Sequence, residues 1–465
     1  MVFSSLTFLY AYLPIVLAVY FAVPLRWRNL VLLIVSLFFY GWGEPVYVLI
    51  MIASIIINWL FGKGISAYRD KDRKRAGKLL AVCMVFNLLL LGFFKYFDFF
   101  AENLNALGLH FIHPLHLGLP IGISFYTFQT MSYPIDLYRH DTDPQKSLVS
   151  FGAYVCMFPQ LIAGPIVRYT DIAKQLNSRT ITAEGFSEGI LRFMTGLAKK
   201  VLLANSVGQV YESIAALSVS QQSALTAWLG AICYTFQIYY DFSGYSDMAI
   251  GLGRMLGFDF LENFNYPYIS RSITEFWRRW HMSLSFWFRD YVYIPLGGNR
   301  LGMRRQIFNI MVVWLLTGFW HGASWNFVLW GVFYGIVLIM EKVFLLRHLS
   351  KAPSVVCHIY TMVLVILNWV IFANTDISRG FSFIGLMFGS NGQLANGYTL
   401  FYLRDHIILL LAALVACTPS ARARLSSLNI RSGRVLAPVL TVVLLIICTA
   451  FIVDASYNPF LYFRF

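Results

Sequence analysis

Residues 307–326 read IFNIMVVWLLTGFWHGASWN, an almost wholly apolar stretch that carries a histidine, His321, near its end. As an α-helix, residues 307–320 would be about 21 Å long, against a hydrocarbon core of about 30 Å. We therefore expect His321 to lie within or near the far half of a bilayer. An ionisable side chain at that depth costs several kcal/mol and marks a functional site by default.

The composition of the whole chain also predicts a polytopic membrane protein. Of its 465 residues, 58% are hydrophobic and 12% are charged, whereas soluble domains have about 25% charged residues. The net charge of +14 fits basic cytoplasmic loops and contact with anionic membrane lipids, so nucleic acid is not expected as a partner. The six cysteines form no CxxC pair, which argues against a metal site or a disulfide framework.

The apolar segments predict an all-α chain that crosses the membrane many times, because a spanning helix needs about 20 residues. The basic loop at residues 62–78 should face the cytoplasm, and counting spans from it places both termini outside. No internal repeat is visible, so one integral domain, residues 1–465, is the simplest interpretation. The candidate spans are residues 6–24, 29–43, 46–61, 79–97, 119–138, 186–215, 222–240, 307–322, 325–346, 355–373, 402–417 and 436–453.

Two regions interrupt this simple pattern. In residues 144–179 and 239–305 the apolar stretches are short and broken by proline, glycine and charged residues. Irregular backbone at membrane depth persists only inside protein or along a water-filled cavity. These regions therefore predict re-entrant helices and a funnel.

A second histidine, His281, lies in residues 274–299, which read TEFWRRWHMSLSFWFRDYVYIPLGGN. On a continuous helix, Trp277, Trp280 and His281 would share one face while Arg278 points elsewhere. Tryptophan and arginine together are typical of a helix in the membrane interface, with arginine available for phosphates or carboxylates. Two interpretations stay open here, an interfacial anchor with a satisfied histidine or an active-site histidine.

For His321 the alternatives are a core histidine bonded to a neighbouring helix and a catalytic base. Imidazole titrates near neutrality and can take a proton from a hydroxyl group and return it. Trp320 and Trp325 would then shape an apolar slot for an acyl chain. Gly318 and Gly322 would let backbone or substrate approach closely.

Residues 239–248, YYDFSGYSDM, place Asp241 and Asp247 in an otherwise apolar run. Buried carboxylates need partners, and the basic residues that follow in the sequence are candidates: Arg254, Arg271 and Arg278. A helix-end cap at Asp241 and a structural ion pair at Asp247 are the simpler interpretation. A contact of Asp247 with substrate is the alternative.

Several of these segments together resemble the membrane-bound O-acyltransferase (MBOAT) family, in its branch of bacterial polysaccharide O-acetylases that act on alginate or peptidoglycan. The segments are residues 120–139, 158–168, 241–257, 263–299 and 318–326, within a motif core at 120–330. The resemblance implies a ring of roughly eleven to thirteen tilted and re-entrant helices around a central tunnel. It also implies that His321 is the catalytic histidine and His281 the second active-site histidine. Candidate substrate contacts are Trp320, Trp325, Asn326, Trp277, Arg278 and Asp247.

The function that the resemblance implies is transfer of an acyl group, with acetyl expected, in a bacterial cytoplasmic membrane. The donor would be a cytoplasmic thioester such as acetyl-CoA or an acyl-carrier protein. A partner acetyltransferase outside the membrane, of the SGNH type, would place the group on a polysaccharide. Substitution at an acyl carbon requires no metal. A transporter of a saccharide or lipid-linked intermediate, and an acyltransferase that acts directly on lipid or protein, remain alternatives.

The tail at residues 456–465 ends in NPFLYFRF. Aromatic residues there are ordinarily anchors in the membrane interface. The ending also resembles the C-terminal tyrosine motif of small partner peptides in the D-alanylation system. That resemblance implies Tyr462 as an acyl relay, and its phenol, with a pKa near 10, would need a base to attack a thioester.

Overall fold

The computed structural model describes residues 1–109, 112–162, 164–420, 433–455 and 461, with the side chains of residues 433–437 excepted. Every regular element in those ranges is helical. The all-α prediction is therefore confirmed. The described chain divides into two compact units. The single integral domain stays a prediction.

The first unit comprises Met1–Phe193 and Tyr245–Leu261. Its aromatic core includes Phe3 stacked on Tyr245 with ring centroids 4.5 Å apart. Its elements are a π-helix Phe8–Tyr12, α1 Leu13–Ala22, α2 Leu25–Gly41, α3 Tyr47–Tyr68, α4 Arg73–Ala106, α5 Ile123–Arg139, α6 Leu148–Cys156, α7 Phe158–Leu161, α8 Tyr169–Asn177, most of α9 Ala183–Ala198 and the last part of α11 Ala224–Leu256.

The second unit comprises Met194–Gly244 and Glu262–Phe465, and both histidines belong to it. In addition to the end of α9 and the first part of α11, it contains a π-helix Lys199–Ala204, α10 Asn205–Ala215, a 3-10 helix Pro267–Ile269, α12 Ile273–Arg279, α13 Met282–Phe288, a π-helix Arg289–Tyr293, α14 Gly302–His321, α15 Trp325–Met340, a π-helix Glu341–Leu345, α16 Leu346–Leu349, α17 Ser354–Ala373, α18 Ile377–Met387, α19 Gly397–Ala416 and α20 Gly433–Asp454.

Helix length and composition confirm the prediction of a polytopic membrane protein. Among the described residues, five helices are long and apolar enough to cross a membrane: Tyr47–Tyr68, Arg73–Ala106, Trp325–Leu349, Ser354–Ala373 and Gly397–Ala416. The other candidate spans also correspond to helices, but shorter or more polar ones. The apolar stretch at 307–320, for example, is extended at its N-terminus by the five residues 302–306, which include Arg304 and Arg305, into α14.

Two glycines bring α14 and α15 together. A Cβ atom at Gly318 would meet the backbone carbonyl of Phe327, and one at Gly331 would meet that of Trp314. The two helices therefore cross with their backbones in contact, a packing that only glycine allows. The close approach expected at Gly318 is confirmed, and its partner in this structure is the neighbouring helix.

Residues 274–299 do not form the continuous helix on which a shared face was predicted. Helix α12 ends at Arg279 and α13 begins at Met282, while His281 between them has a left-handed φ of +45°. The prediction that Trp277, Trp280 and His281 share one stripe is therefore wrong. A non-glycine residue in this conformation is strained and persists where surrounding contacts hold it.

Candidate active site

His321 is the last residue of α14, which delivers its side chain into an aromatic environment. The residue is only 7% exposed. Its imidazole packs edge-on against Trp330, with centroids 4.9 Å apart, and against Phe372 at 5.3 Å. Helices α14, α15 and α17 each supply one of these three rings. The rings of Trp330 and Phe372 therefore surround the His321 imidazole with apolar surface.

His281 is held by Asn263 from the loop before α12. Its Nδ1 lies 3.1 Å from Asn263 Oδ1, and the same oxygen accepts hydrogen bonds from Ser283 N–H at 3.2 Å and Ser283 Oγ at 2.9 Å. An amide oxygen can only accept a hydrogen bond, so Nδ1 of His281 must carry the proton and act as the donor. In the neutral imidazole the lone pair then lies on Nε2.

The Nε2 atom of His281 is buried and has no hydrogen-bond partner among the residues that the structure describes. His281 lies outside the five candidate spans, and burial lowers the pKa of its imidazole from 6.5 to about 3. The ring is therefore neutral at physiological pH. A buried, neutral acceptor without a protein partner is available to a ligand.

Trp320 joins the two histidines. Its indole lies 5.0 Å from the His321 ring, edge to face, and 5.8 Å from the His281 ring. On its other side, His281 packs edge-on against Phe242 of α11 at 4.6 Å. The structure thus brings His281 and His321, which are 40 positions apart in the sequence, against one indole.

A buried carboxylate, that of Glu341, fixes the segment that leads to His281. Glu341 is fully buried, and it accepts N–H bonds from Ile273 at 2.7 Å and Thr274 at 2.8 Å. The hydroxyl groups of Thr274 and Tyr360 donate to it as well, at 2.6 and 3.1 Å. The carboxylate satisfies the first amides of α12 and interacts favourably with its dipole. It thereby anchors the helix immediately before the turn at His281.

The predicted substrate contacts fall into two groups. Trp320 lies between the histidines, and Trp277 packs against Trp330 behind them, at 5.6 Å. Asn326 is fully buried, and its amide donates to the carbonyls of Ile371 and Phe372, at 3.4 and 3.1 Å. Trp325, which is 54% exposed, and Arg278, which is also exposed, are not gathered around the histidines.

The two aspartates of residues 239–248 have partners other than those proposed from the sequence. Asp241 is in the interior of α11, not at a helix end, and pairs with Lys200 at 2.6 Å. Asp247 pairs with Arg192 at 2.6 Å within the first unit. Arg254 instead bonds to Asp259 and Glu188. Asp241 as a helix cap is therefore wrong, and the ion pair predicted for Asp247 exists with a different cation.

Three residues that position the site carried no decisive sequence signal. Asn263 and Glu341 are far from His281 in sequence, and nothing local distinguishes them from other polar residues. Lys200 carried a weak signal, since it and Lys199 are the two cations in the otherwise apolar stretch at residues 197–204. Tyr462 lies outside the described residues. Within them, no group of three or more His, Cys, Asp or Glu side chains could hold a metal ion.

Fold and site together define a helical, polytopic membrane protein with two buried histidines, and Nε2 of His281 has no hydrogen-bond partner in the part of the chain that the structure describes. The chain belongs to the membrane-bound O-acyltransferase family, MBOAT, whose model matches residues 139–384. It is accordingly an acyltransferase. The resemblance drawn from the motifs is confirmed.

Three similar proteins narrow the branch. The chain is 45% identical to the probable alginate O-acetylase AlgI of Azotobacter vinelandii, over 83% of this chain and 78% of that protein. It is 40% identical to the probable alginate O-acetylase AlgI of Pseudomonas putida, over the full length of both. It is 33% identical to the peptidoglycan O-acetyltransferase of Helicobacter pylori, over 84% of this chain and 80% of that protein.

Proposed function

We propose that the protein transfers acetyl groups from a cytoplasmic thioester towards an extracytoplasmic polysaccharide, with alginate as the first candidate and peptidoglycan as the second. The order follows the relatives, since those named for alginate are 40–45% identical and the one named for peptidoglycan is 33% identical. The observation that carries the proposal is the pair of buried histidines on either side of Trp320. This arrangement suits proton transfer in a water-poor site.

In the proposed reaction, His321 is the general base. It takes the proton of an acceptor hydroxyl as the oxygen attacks the thioester carbonyl. A carbon–oxygen bond forms, the carbon–sulfur bond breaks, and the proton leaves with the thiol. Trp330 and Phe372 provide the apolar surroundings of the His321 imidazole.

His281 is proposed to orient one of the reactants. Because the Nδ1–H group donates its hydrogen bond to Asn263 Oδ1, Nε2 of the neutral ring can accept a hydrogen bond but cannot donate one. It therefore suits a donor group, such as the acceptor hydroxyl or an amide N–H of the thioester's arm. Polarisation of the thioester carbonyl, which needs a hydrogen-bond donor, is the less suitable role.

Acetyl-CoA is the proposed donor, with an acyl-carrier thioester as the alternative, and the cytoplasmic membrane of a bacterium the proposed location. The basic residues at 62–78, in the end of α3, the turn that follows and the start of α4, would face the cytoplasm, which would place both termini outside. An extracytoplasmic acetyltransferase of the SGNH type would complete the transfer to the glycan. Tyr462 is proposed as the acyl relay between the two steps.

The test uses protein purified into nanodiscs and acetyl-CoA labelled in the acetyl group. Thiol release and retained label are measured for wild type, His321→Ala and the control His348→Ala, whose histidine is exposed. Loss of both signals in His321→Ala alone supports the proposal. Equal turnover in all three proteins removes His321 from the chemistry.

A second experiment distinguishes the acceptor. Cells that contain the chain and make alginate are compared with cells that contain His321→Ala, and the acetyl content of alginate and of peptidoglycan is measured. A loss confined to alginate supports the first candidate, and a loss confined to peptidoglycan supports the second. Unchanged glycans together with a change in acylated lipid or protein would favour direct acylation of those molecules.

A further inference from the structure

A buried carboxylate in α11, that of Asp241, is hydrogen-bonded to the backbone of Leu461. Asp241 Oδ1 lies 2.6 Å from Lys200 Nζ, and the two side chains are 3% and 4% exposed. Its other oxygen, Oδ2, accepts a hydrogen bond of 2.9 Å from the backbone N–H of Leu461. Leu461 is itself only 4% exposed. The bond joins residues 220 positions apart.

In this contact the Asp241 carboxylate acts as a receptor, since it binds a backbone N–H group of another segment. A buried carboxylate is stable only when its charge is compensated and both oxygens have partners. Lys200 supplies the charge, and the Leu461 amide satisfies the second oxygen. Hydrogen bonds to ionised acceptors are stronger than neutral ones, so Asp241 holds the backbone at position 461 more firmly than a neutral side chain would.

The receptor is adjacent to the candidate active site. Phe242, the next residue in α11, packs edge-on against the His281 ring at 4.6 Å. The carboxylate that binds the tail and the ring that contacts the histidine are thus consecutive residues of one helix.

We infer that the Asp241–Lys200 pair is a docking site for the chain's own C-terminal end, and that Asp241 is a positioning residue for the acetyl transfer. The positioning role rests on the proposed function, in which the tail presents an acceptor, whereas the docking itself does not. The two parts are therefore tested by separate measurements.

Docking is measured by amide hydrogen exchange of the C-terminal peptide in nanodiscs. Asp241→Asn removes the charge of the receptor, and Asp247→Asn is the matched control, since Asp247 is in the same helix and forms an ion pair of the same 2.6 Å length with Arg192. Exchange at Leu461 should be faster by about tenfold or more in Asp241→Asn, the size of a hydrogen bond to a charged group. The exchange rate at Leu461 in Asp247→Asn should equal that of wild type. Equal exchange in wild type and Asp241→Asn overturns the inference, whether or not the protein shows acetyl transfer.

The positioning role is measured with a pair of variants in the tail, which leave the helices unchanged. Leu461→Pro removes the backbone donor, whereas Leu461→Ala keeps it and only shortens the side chain. Leu461→Pro should lower the kcat of acetyl transfer more than Leu461→Ala does. The KM for acetyl-CoA should change less than kcat does, because the tail is proposed to present the acceptor rather than to bind the donor.

A double-mutant cycle then links the two ends of the bond. If Asp241 acts through the tail, Asp241→Asn in the Leu461→Pro background causes no further loss, while Asp247→Asn adds its own effect. Independent losses from Asp241→Asn and Leu461→Pro overturn the positioning role. Absence of thioester turnover in wild type contradicts the proposed function and the positioning role together, and the exchange measurement still decides the docking.

Discussion

The indole of Trp320 lies against both buried histidines, 5.0 Å from the His321 ring and 5.8 Å from the His281 ring. The two imidazoles enter from different directions, His321 at the end of α14 and His281 from the turn between α12 and α13. Their relative position is therefore set by the packing of one shared side chain. A substitution of Trp320 should therefore change the positions of both imidazole rings.

Trp320→Phe is expected to lower kcat by up to about a hundredfold, since small misplacements of catalytic groups have effects of that size. Trp42→Phe is the control, because Trp42 is 60% exposed and belongs to the first unit. Turnover of labelled acetyl-CoA checks both. Wild-type activity in Trp320→Phe would mean that the indole does not position the histidines.

Asn263→Ala is expected to reduce turnover by about tenfold to a hundredfold, less than the full 10²–10⁴-fold effect of a general acid or base. The reason is that the His281 ring loses the oxygen that selects its tautomer and orientation. Asn263→Asp keeps that acceptor and should retain more activity than Asn263→Ala. The reverse order would show that the hydrogen bond to His281 is not what the reaction requires.

The stability of the protein should fall as the pH is lowered from about 6.5 towards the pKa of His281. Burial lowers that pKa to about 3 in the folded chain, so below 6.5 the unfolded chain binds a proton that the folded chain does not. The free energy of unfolding then decreases by up to about 1.4 kcal/mol per pH unit. Thermal unfolding between pH 7.5 and 4.5 should show a steeper decline in wild type than in His281→Gln. Parallel pH profiles would contradict a neutral, buried His281.

Glu341→Gln is expected to lower the free energy of unfolding by about 1–3 kcal/mol, because an amide cannot accept all the bonds that α12 and its neighbours donate to the carboxylate. The control is Glu188→Gln, whose side chain is 56% exposed and pairs with Arg254. Exposed pairs contribute about 0–1 kcal/mol. Denaturation in detergent measures both, and equal effects would assign Glu341 no special role in anchoring α12.

Gly331→Ala should destabilise the protein by about 1–3 kcal/mol, the usual effect of overpacking. The new methyl group would meet the backbone of Trp314 at the crossing of α14 and α15. Gly92→Ala is the matched helical control, since nothing lies within 4 Å of a Cβ there, and alanine favours a helix interior by about 0.5–1 kcal/mol. A stable Gly331→Ala variant would show that the crossing can relax without moving His321.

Much of the architecture could be predicted from local sequence. Apolar segments such as residues 325–346 and 355–373 correspond to helices α15 and α17, because hydrophobic length is a property of consecutive residues. The family could also be predicted, since its motifs are contiguous around His281 and His321. One helix was predicted across residues 274–299. Its break at His281 could not be predicted from local sequence, because the break depends on contacts of this segment with Asn263 and Glu341.

The sequence by itself determined that this is a helical membrane protein, which segments are apolar, and which two histidines are the candidates for its chemistry. Only the tertiary structure decided that Asn263 directs the Nδ1 proton of His281, that Trp320 joins the histidines, and that Lys200 and Leu461 are the partners of Asp241. The physical reason is that helix formation and membrane burial depend on neighbouring residues. Hydrogen bonds, ion pairs and ring contacts depend on side chains that are brought together only when distant helices pack.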